Sequence, residues 1–315
     1  MNSAGSLAPL PAGAHETENP GDGAAFRISG LAKRFGKRTV LDGLDWALHA
    51  GEIVGLIGRN GAGKTTLLRC LLGLSPTDGG TVRVFGTDVG RLGGETLHRI
   101  GYVPQTFDLF PWMKVKDYLD FTRAFYARWD AELARRLLEE WRLPLRDKIT
   151  TLSQGQRQML AIVRALAPDP DLLILDEPVA SLDPVARREF LATLVPLVRR
   201  PGKTVVLSTH IVRDLERLEA GLALLRDGRI AFTLGPGGHA GRLALGTVRR
   251  SGGFAAPPAL AGMLAVRLAA GGEIHAVYET ASAGSEEALA AFAREEGASV
   301  ETRPIDLEDL FVALA

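Results

Sequence analysis

The chain has 315 residues, of which 46% are apolar and 23% charged, a composition typical of a soluble globular protein. Its 37 basic and 37 acidic residues cancel to a formal net charge of zero, so the overall charge does not indicate a nucleic-acid or strongly acidic partner. The single cysteine, Cys70, excludes an internal disulfide, and its position in an apolar helical run favours core packing over chemistry.

The amino-terminal residues 1–25 contain no Lys or Arg and are rich in Ala, Gly, Pro and Asn. They have neither the basic start nor the apolar core of a secretory signal, and their composition predicts a disordered tail. No stretch of the chain reaches the ~18 consecutive apolar residues that a membrane helix needs, so we expect the chain itself not to cross a membrane.

Between residues 26 and 235, short apolar runs alternate with amphipathic ones. Three runs predict buried strands that end in polar residues, namely IVGLIG (53–58), LLILDEP (172–178) and TVVLSTH (204–210). Helical patterns follow all three, which indicates an α/β fold with a mainly parallel sheet covered on both faces. In such sheets, ligands bind at the carboxyl ends of the strands.

Two further segments differ from this alternation. Residues from about 106 to 167 lose the strand pattern and predict a helical subdomain that is rich in aromatic residues. The Gly/Pro-rich stretch at 236–241 predicts a linker, and residues 242–315 predict a small α/β accessory domain. In that domain we expect strands at 275–279 and 299–305, an N-capped helix at 285–297, and a short last helix in DLEDLFVALA.

The segment GRNGAGKT (58–65) matches the phosphate-loop pattern G-x-x-x-x-G-K-[ST]. It follows a predicted strand and opens a predicted helix, which is the context that a phosphate loop requires. Glycines let the backbone N–H groups turn inward around phosphate oxygens, Lys64 reaches the β- and γ-phosphates, and Thr65 coordinates Mg²⁺. The nucleotide-binding residues predicted in this loop are Gly58, Asn60, Gly61, Gly63, Lys64, Thr65 and Thr66.

Polar residues also follow the other predicted strands. Asp176 ends LLILD and fits a residue that holds Mg²⁺ through water, and the adjacent Glu177 can orient or polarise an attacking water. His210 ends TVVLSTH, where we expect it to contact the γ-phosphate. Gln105 follows a short strand predicted at 99–104 and could bind Mg²⁺ or the attacking water.

The stretch TLSQGQRQML (151–160) begins with a small polar turn that opens onto a helical pattern. The hydroxyl of Ser153 and the free N–H groups of the helix start suit an anion. They also suit an ordinary N-cap, which these residues taken alone favour.

Taken together, these motifs resemble those of the nucleotide-binding subunits of ABC transporters. The resemblance covers about residues 26–235. It rests on seven motifs in the family's order, which are Phe35 before the first predicted strand, GRNGAGKTT (58–66), YVPQ (102–105), LSQGQ (152–156), LLILDEP (172–178), SLD (181–183) and STH (208–210). It implies a P-loop NTPase core, a helical subdomain and ATP as the nucleotide.

The resemblance also implies roles in binding and hydrolysis. Lys64, Thr65 and Asp176 bind MgATP, and Glu177 is the catalytic carboxylate. The remaining roles are adenine stacking by Phe35, a link between Mg²⁺ and the helical subdomain by Gln105, and sensing of the γ-phosphate by His210.

In this family the LSQGQ segment (152–156) contacts the ATP of the opposite subunit, so two ATP molecules are sandwiched in a head-to-tail dimer. With one nucleotide domain in this chain, the simplest such assembly is a homodimer with two-fold symmetry. The residues that the resemblance places at this contact are Ser153, Gln154, Gly155 and Gln156, and it places Ser181, Leu182 and Asp183 along the interface. The commonest family form is LSGGQ, so Gln154 introduces a side chain where most members have none.

The ending PIDLEDLFVALA and the run at 125–149 are similar to ATPases of ABC-2 type exporters. In such systems the membrane permease is often a separate polypeptide. The resemblance therefore implies export and a peripheral location on the cytoplasmic side of the membrane. It places the permease-docking surface near residues 105–129, with Phe107, Phe110, Pro111 and Trp112 as candidates.

Other ATPase classes fit the sequence less well. DNA-repair members of the superfamily carry long coiled-coil insertions, whereas only about 48 positions separate Gln105 from Ser153, without sustained heptads. Translation-associated members usually have two nucleotide domains in one chain, and a small-molecule kinase would need neither LSQGQ nor SLD. The alternative kept open is a non-transport member of the same superfamily.

Overall fold

The computed structural model describes residues 23–106, 109–180, 182–209, 213–236, 242–269, 271–282, 284–305 and 309–310. Contacts between Cα atoms divide them into two compact units, one reaching to Thr233 and the other beginning at Leu234. Most of the amino-terminal tail expected at 1–25 lies outside the described residues, and β1 begins at Ala24.

The first unit combines α-helices with strands of two sheets. Its elements are β1 (Ala24–Phe35), β2 (Arg38–His49), β3 (Ile53–Ile57), α1 (Lys64–Leu71), β4 (Gly79–Val84), β5 (Thr87–Asp88), α2 (Gly94–Leu97), β6 (Ile100–Val103), α3 (Val115–Arg123), α4 (Ala131–Glu140), α5 (Gln154–Leu166), β7 (Leu172–Asp176), α6 (Pro184–Val198), β8 (Thr204–Ser208), α7 (Arg213–Leu218), β9 (Gly221–Arg226) and β10 (Arg229–Leu234).

The main sheet has the strand order β10-β9-β3-β8-β7-β6, and every pairing from β9 to β6 is parallel. All five residues of β7 and all five of β8 are buried, as strands covered on both faces require. This confirms the predicted α/β fold with a mainly parallel sheet.

A second sheet, with the order β2-β1-β4-β5, is antiparallel. It shares one hydrophobic core with α1 and the main sheet, to which it contributes Phe26, Leu44 and Trp46. This sheet was not predicted from the sequence. The expectation that Phe35 precedes the first strand was wrong, because Phe35 is the last residue of β1.

The helical subdomain contains α3, α4 and α5, and the helices bury one face each. Its aromatic residues differ in exposure, and Tyr126 and Trp129 are half-buried. Tyr118 and Trp141 are buried in the core. The exposed group, which we call the aromatic cluster, consists of Phe110, Trp112, Phe121 and Phe125, with adjacent ring centroids 5.0–5.6 Å apart.

The second unit is a four-stranded antiparallel sheet with one described long helix. Its elements are β11 (Leu243–Arg249), β12 (Met263–Leu268), β13 (Ile274–Glu279), α8 (Ser285–Glu295) and β14 (Ser299–Pro304), in the strand order β12-β13-β11-β14. Leu289 of α8 packs with Val248 and Tyr278 in its core. The last helix, expected in DLEDLFVALA, lies almost wholly outside the described residues.

The cap of α8 differs from the expected one. The N-cap residue is Gly284, whose φ of 96° favours glycine, and it gives no side-chain cap. Ser285 is instead the first helical residue, and its hydroxyl donates to the carbonyl of Gly262 at 3.0 Å.

Gly101 in β6 lets α5 approach the sheet closely. A Cβ atom at this position would lie 2.6 Å from the carbonyl oxygen of Ala165, which belongs to the α5 backbone and cannot rotate away. We predict that Gly101→Ala lowers the free energy of unfolding by about 1–3 kcal/mol through overpacking, measured by chemical denaturation.

The matched control for this substitution is Gly94→Ala. Gly94 is the first residue of α2, and an added Cβ would meet no atom within 4 Å. Its denaturation midpoint is expected to stay within error of the wild type or rise slightly. Equal midpoints for Gly101→Ala and the wild type would contradict the close approach of α5.

Candidate functional site

The register of the main sheet brings the predicted site segments to one edge. Leu56 of β3 and Asp176 of β7 both pair with Ser208 of β8, so these three strands end at the same level. The phosphate loop follows β3, the two acidic residues lie at the end of β7, and Gln105 follows β6. A single strand therefore separates the phosphate loop from the acidic residues.

The phosphate loop has room only for glycine at its turns. A Cβ atom at Gly58 would lie 2.6 Å from the carbonyl oxygen of Leu225, and one at Gly63 would lie 2.9 Å from Cγ1 of Val40. Gly61 and Gly63 have φ values of 80° and 105°. The helix α1 starts directly after this turn without a side-chain cap. Its first N–H groups are therefore available to an anion.

Lys64 lies buried between the loop and the acidic residues. Its Nζ atom donates to the carbonyl of Gly58 at 2.8 Å and lies 3.5 Å from Oε1 of Glu177. Both side chains are less than one-tenth exposed, so this ion pair is held in a low-dielectric setting. The ammonium group of Lys64 thus contacts both the phosphate loop and Glu177 within one chain.

The two acidic residues have very different surroundings. Asp176 is fully buried, and its Oδ1 accepts a hydrogen bond of 2.5 Å from Ser208 Oγ. Its Oδ2 is buried without a hydrogen-bond partner among the described residues. Glu177 has a φ of 50°, a left-handed conformation that is uncommon for residues other than glycine. Such strain persists where the surroundings enforce it and is frequent at functional sites.

These residues fit a magnesium–nucleotide ligand better than a metal held by protein alone. Within the described ranges, no group of three or more His, Cys, Asp or Glu residues could hold a metal ion. Mg²⁺ favours oxygen ligands and is usually bound through one or two carboxylates together with substrate phosphates. The unpartnered Oδ2 of Asp176 and the half-buried Thr65 supply oxygen ligands of this kind.

The hairpin between β1 and β2 borders the phosphate loop. Phe35 pairs with Arg38 across the hairpin, which places both side chains on the same face. Arg38 Nη2 donates to the carbonyl of Gly61 at 3.4 Å. Arg38, Val40, Gly61 and Ala62 line one cleft, and the Phe35 ring is 56% exposed. The exposed Phe35 ring lies on the same face as Arg38, with Lys33 Nζ 5.2 Å from its centroid, and is available for stacking on a base.

The LSQGQ segment forms the start of α5. Ser153 Oγ accepts from the Gln156 backbone N–H at 3.2 Å, and Gln156 Oε1 accepts from the Ser153 N–H at 3.0 Å, which completes a capping box. Gln154 is exposed, and a Cβ atom at Gly155 would lie 3.0 Å from Leu182 Cδ2. Within one chain, therefore, this segment caps a helix.

The remaining predicted site residues make few described contacts or lie outside the described ranges. His210, Ser181, the docking candidate Phe107 and residues 237–241 of the expected linker lie outside the described residues. Asp183 immediately precedes α6, and its Oδ1 accepts from the backbone N–H of Ala186 at 3.0 Å. Asn60 and Gln105 are exposed, and Thr66 is half-buried in the first turn of α1.

Ser208 and Arg38 had no role predicted from the sequence. Ser208 lay inside the STH motif, but its contact with Asp176 depends on the register between β7 and β8. Arg38 reaches the phosphate loop only because the β1–β2 hairpin turns beside it. Neither the strand register nor the hairpin could be seen from the residue types alone.

A glycine loop at a helix start, a buried lysine and a buried aspartate with one free oxygen define a P-loop nucleotide-binding site. The family model described as "ABC transporter" matches residues 41–180. The Nod factor export ATP-binding protein I of Paraburkholderia xenovorans is 39% identical over 211 residues, which are 65% of this chain and 69% of that protein.

Two further relatives agree with this match. The methionine import ATP-binding protein MetN of Mesorhizobium japonicum is 38% identical, over 65% of this chain and 58% of that protein. A dimeric ATP-binding cassette, MJ0796, solved in a post-hydrolysis state with ADP and Pi, has a TM-score of 0.58 and 26% identity. The match covers 66% of this chain and 97% of the cassette. The chain thus belongs to the ATP-binding subunits of ABC transporters, a family of ATPases.

We predict that Phe35→Ala weakens ATP binding by about 1–3 kcal/mol because a stacked base loses its aromatic platform. The dissociation constant is measured by calorimetry. Phe35→Trp should retain most of the affinity, since the platform is kept.

The chain offers a matched control for the loss of an exposed ring. Phe125 is 59% exposed, against 56% for Phe35, and lies in the aromatic cluster. Phe125→Ala should leave the dissociation constant of ATP unchanged. Equal affinities for Phe35→Ala and Phe125→Ala would contradict stacking on Phe35.

Proposed function

We propose that two copies of this chain close head to tail around two MgATP molecules, and that closure drives transport through a separately encoded membrane permease. One observation carries the proposal. Each chain holds a phosphate loop and acidic residues at its sheet edge, whereas its LSQGQ segment, with Ser153 and Gln154 exposed, makes no described hydrogen bond to that loop. Two such halves complement each other in a two-fold dimer.

We assign the roles within one active site from the family resemblance, and the contacts of Lys64, Asp176 and Glu177 support the assignment. Lys64, Thr65, Thr66 and the loop backbone bind the phosphates, and Phe35 stacks on adenine. Asp176, Gln105 and Thr65 hold Mg²⁺, which when bound neutralises negative charge on the phosphates. Glu177 accepts a proton from the attacking water, and His210 contacts the γ-phosphate. The proximity of Glu177 Oε1 to Lys64 Nζ, 3.5 Å, supports the placement of the carboxylate near the phosphate end of the nucleotide.

The LSQGQ segment supplies the second half of the site from the opposite chain. Ser153 is exposed at the N-terminus of a helix of 13 residues, whose dipole favours an anion at that end. Gly155 lets the backbone approach a phosphate, and Gln154 and Gln156 flank it. Ser181 and Asp183 lie along the same interface. The dimeric cassette that resembles this chain was solved with ADP and Pi, which supports a nucleotide-linked dimer.

The permease is the partner that the aromatic cluster fits. Phe110, Trp112, Phe121 and Phe125 expose adjoining rings on the helical subdomain, and adjoining apolar side chains at a surface mark an interaction site. None of the helices in the described ranges combines the length and apolar character that a bilayer crossing needs. We place the chain on the cytoplasmic face of the membrane, bound to cytoplasmic helices of the permease.

Export is the direction we favour, although similar proteins are named for export of Nod factor and for import of methionine. The support is the resemblance of the carboxy-terminal residues to ABC-2 type exporters. We assign residues 26–235 to the nucleotide-binding domain, 236–241 to a linker and 242–315 to an accessory domain. The neutral net charge gives no support to a nucleic-acid partner.

Glu177→Gln is expected to bind MgATP without hydrolysing it, because an amide cannot accept the proton of the attacking water. The closed dimer should then accumulate. Size-exclusion chromatography with excess MgATP should show a dimer, and the same protein without nucleotide should elute as a monomer. A variant that stays monomeric with saturating MgATP would sink the sandwich arrangement.

Ser153→Asp in the Glu177→Gln background separates capping from anion binding. Asp caps a helix about as well as Ser, so α5 should stay folded. Its carboxylate cannot donate a hydrogen bond and repels phosphate, so the ATP-dependent dimer should be lost. A dimer as stable as that of Glu177→Gln alone would show that Ser153 has only its capping role.

The permease contact is tested by the combined substitution of Trp112 and Phe121 by Ser. We expect this variant to keep its basal ATPase rate and to lose co-purification with a polytopic membrane protein from detergent-solubilised membranes. The wild-type chain is the positive control, and Leu145→Ser, another exposed apolar residue, controls for lost surface hydrophobicity. Unchanged co-purification of the double variant would contradict docking on the aromatic cluster.

A further inference from the structure

Ser208, the last residue of β8, lies between the two acidic residues of the site. It is fully buried. Its hydroxyl oxygen is 2.5 Å from Oδ1 of Asp176 and 2.9 Å from the backbone nitrogen of Glu177. The function described above assigns no role to this side chain.

The direction of both hydrogen bonds follows from the number of protons. The Glu177 N–H can only donate, so the Ser208 oxygen accepts from it. The single hydroxyl proton of Ser208 is then donated in a hydrogen bond to Oδ1 of Asp176. One oxygen of Asp176 is thereby occupied, and the other, Oδ2, is left without a partner among the described residues.

The same hydroxyl supports the strained backbone at Glu177. This residue has a φ of 50°, and its N–H also lies 3.2 Å from the Ser208 carbonyl oxygen. The hydroxyl and the carbonyl of Ser208 therefore both restrain the peptide that precedes the Glu177 side chain, the hydroxyl through the shorter contact. The position of the carboxylate beside Lys64 depends on that peptide.

We propose that Ser208 is a positioning residue for MgATP hydrolysis. Its hydroxyl turns Oδ2 of Asp176 toward the metal site and holds Glu177 in the conformation that directs its carboxylate to the attacking water. This inference rests on the proposed function, in which Asp176 holds Mg²⁺ and Glu177 activates water. Ser208 would thereby position both Asp176 and Glu177 without itself touching the substrate.

The test uses Ser208→Ala, which removes only the hydroxyl, and Ser208→Thr, which restores one. The matched control is Thr204→Val at the opposite end of β8. Thr204 is also buried, and its Oγ1 accepts from the backbone N–H of Gly51 at 3.0 Å. Both Ala and Val variants therefore lose one buried hydroxyl from the same strand, but only one of them lies beside the site.

Two readouts are measured on the full chain. The first is the dissociation constant of ATP by calorimetry, with Mg²⁺ varied from absent to saturating, and the second is the steady-state rate at saturating MgATP. We expect Ser208→Ala to raise the half-saturating Mg²⁺ concentration at least about fivefold, as loss of a hydrogen bond to a charged group implies, and to lower kcat. ATP affinity without Mg²⁺ should be unchanged, and Ser208→Thr should recover the Mg²⁺ response.

The outcomes separate failure of this inference from failure of the proposed function. If the wild type shows no Mg²⁺ dependence, the proposed metal site is wrong. If the wild type depends on Mg²⁺ and Ser208→Ala responds like Thr204→Val, Ser208 has only a structural role. Should Ser208→Ala unfold, Ser208→Cys fills the same space with a much weaker donor and is expected to shift the Mg²⁺ response in the same direction. A normal response of that variant would overturn the inference.

Discussion

The site depends on the position of β8 between β3 and β7. Because these strands are parallel and in register, Leu56, Ser208 and Asp176 lie side by side near the carboxyl edge of the sheet. The phosphate loop then starts where Lys64 Nζ lies 3.5 Å from the buried carboxylate of Glu177. Strands buried on both faces resist slippage, since a shift of one residue would turn each side chain to the opposite face. The hydrophobic core thereby sets the distances between charged groups.

Buried charges and a left-handed glutamate are costly, and the surrounding contacts offset that cost. Lys64 donates to the loop carbonyl of Gly58 and lies beside Glu177, so neither charge is isolated. The N–H of Glu177 is held by Ser208 in its strained conformation. Groups that the fold holds in place in this way need little rearrangement when charge develops in a reaction, which is how preorganised sites lower a barrier.

The central sheet was predictable because β3, β7 and β8 are nearly continuous apolar runs between clear helical patterns. The antiparallel sheet was not. β1 and β2 pair with several register shifts, and the bulges break the alternation that would mark them as strands. The phosphate-loop residues, Asp176 and Glu177 followed from local motifs. Ser208 and Arg38 act through partners 32 and 23 positions away, and pairings over such separations are set by the fold.

Capping and anion binding at Ser153 are compatible because of the chemistry of a hydroxyl group. In the capping box, Ser153 Oγ uses a lone pair to accept from the Gln156 N–H. Its own proton is not used in that bond and can be donated to a phosphate oxygen. The cap therefore orients the donor rather than consuming it. Ser153, whose oxygen already accepts in the cap, therefore retains the donor that the proposed dimer needs. The hydrogen bond within one chain uses only the accepting oxygen of Ser153. The resemblance to ABC subunits indicates where its hydroxyl proton would be donated.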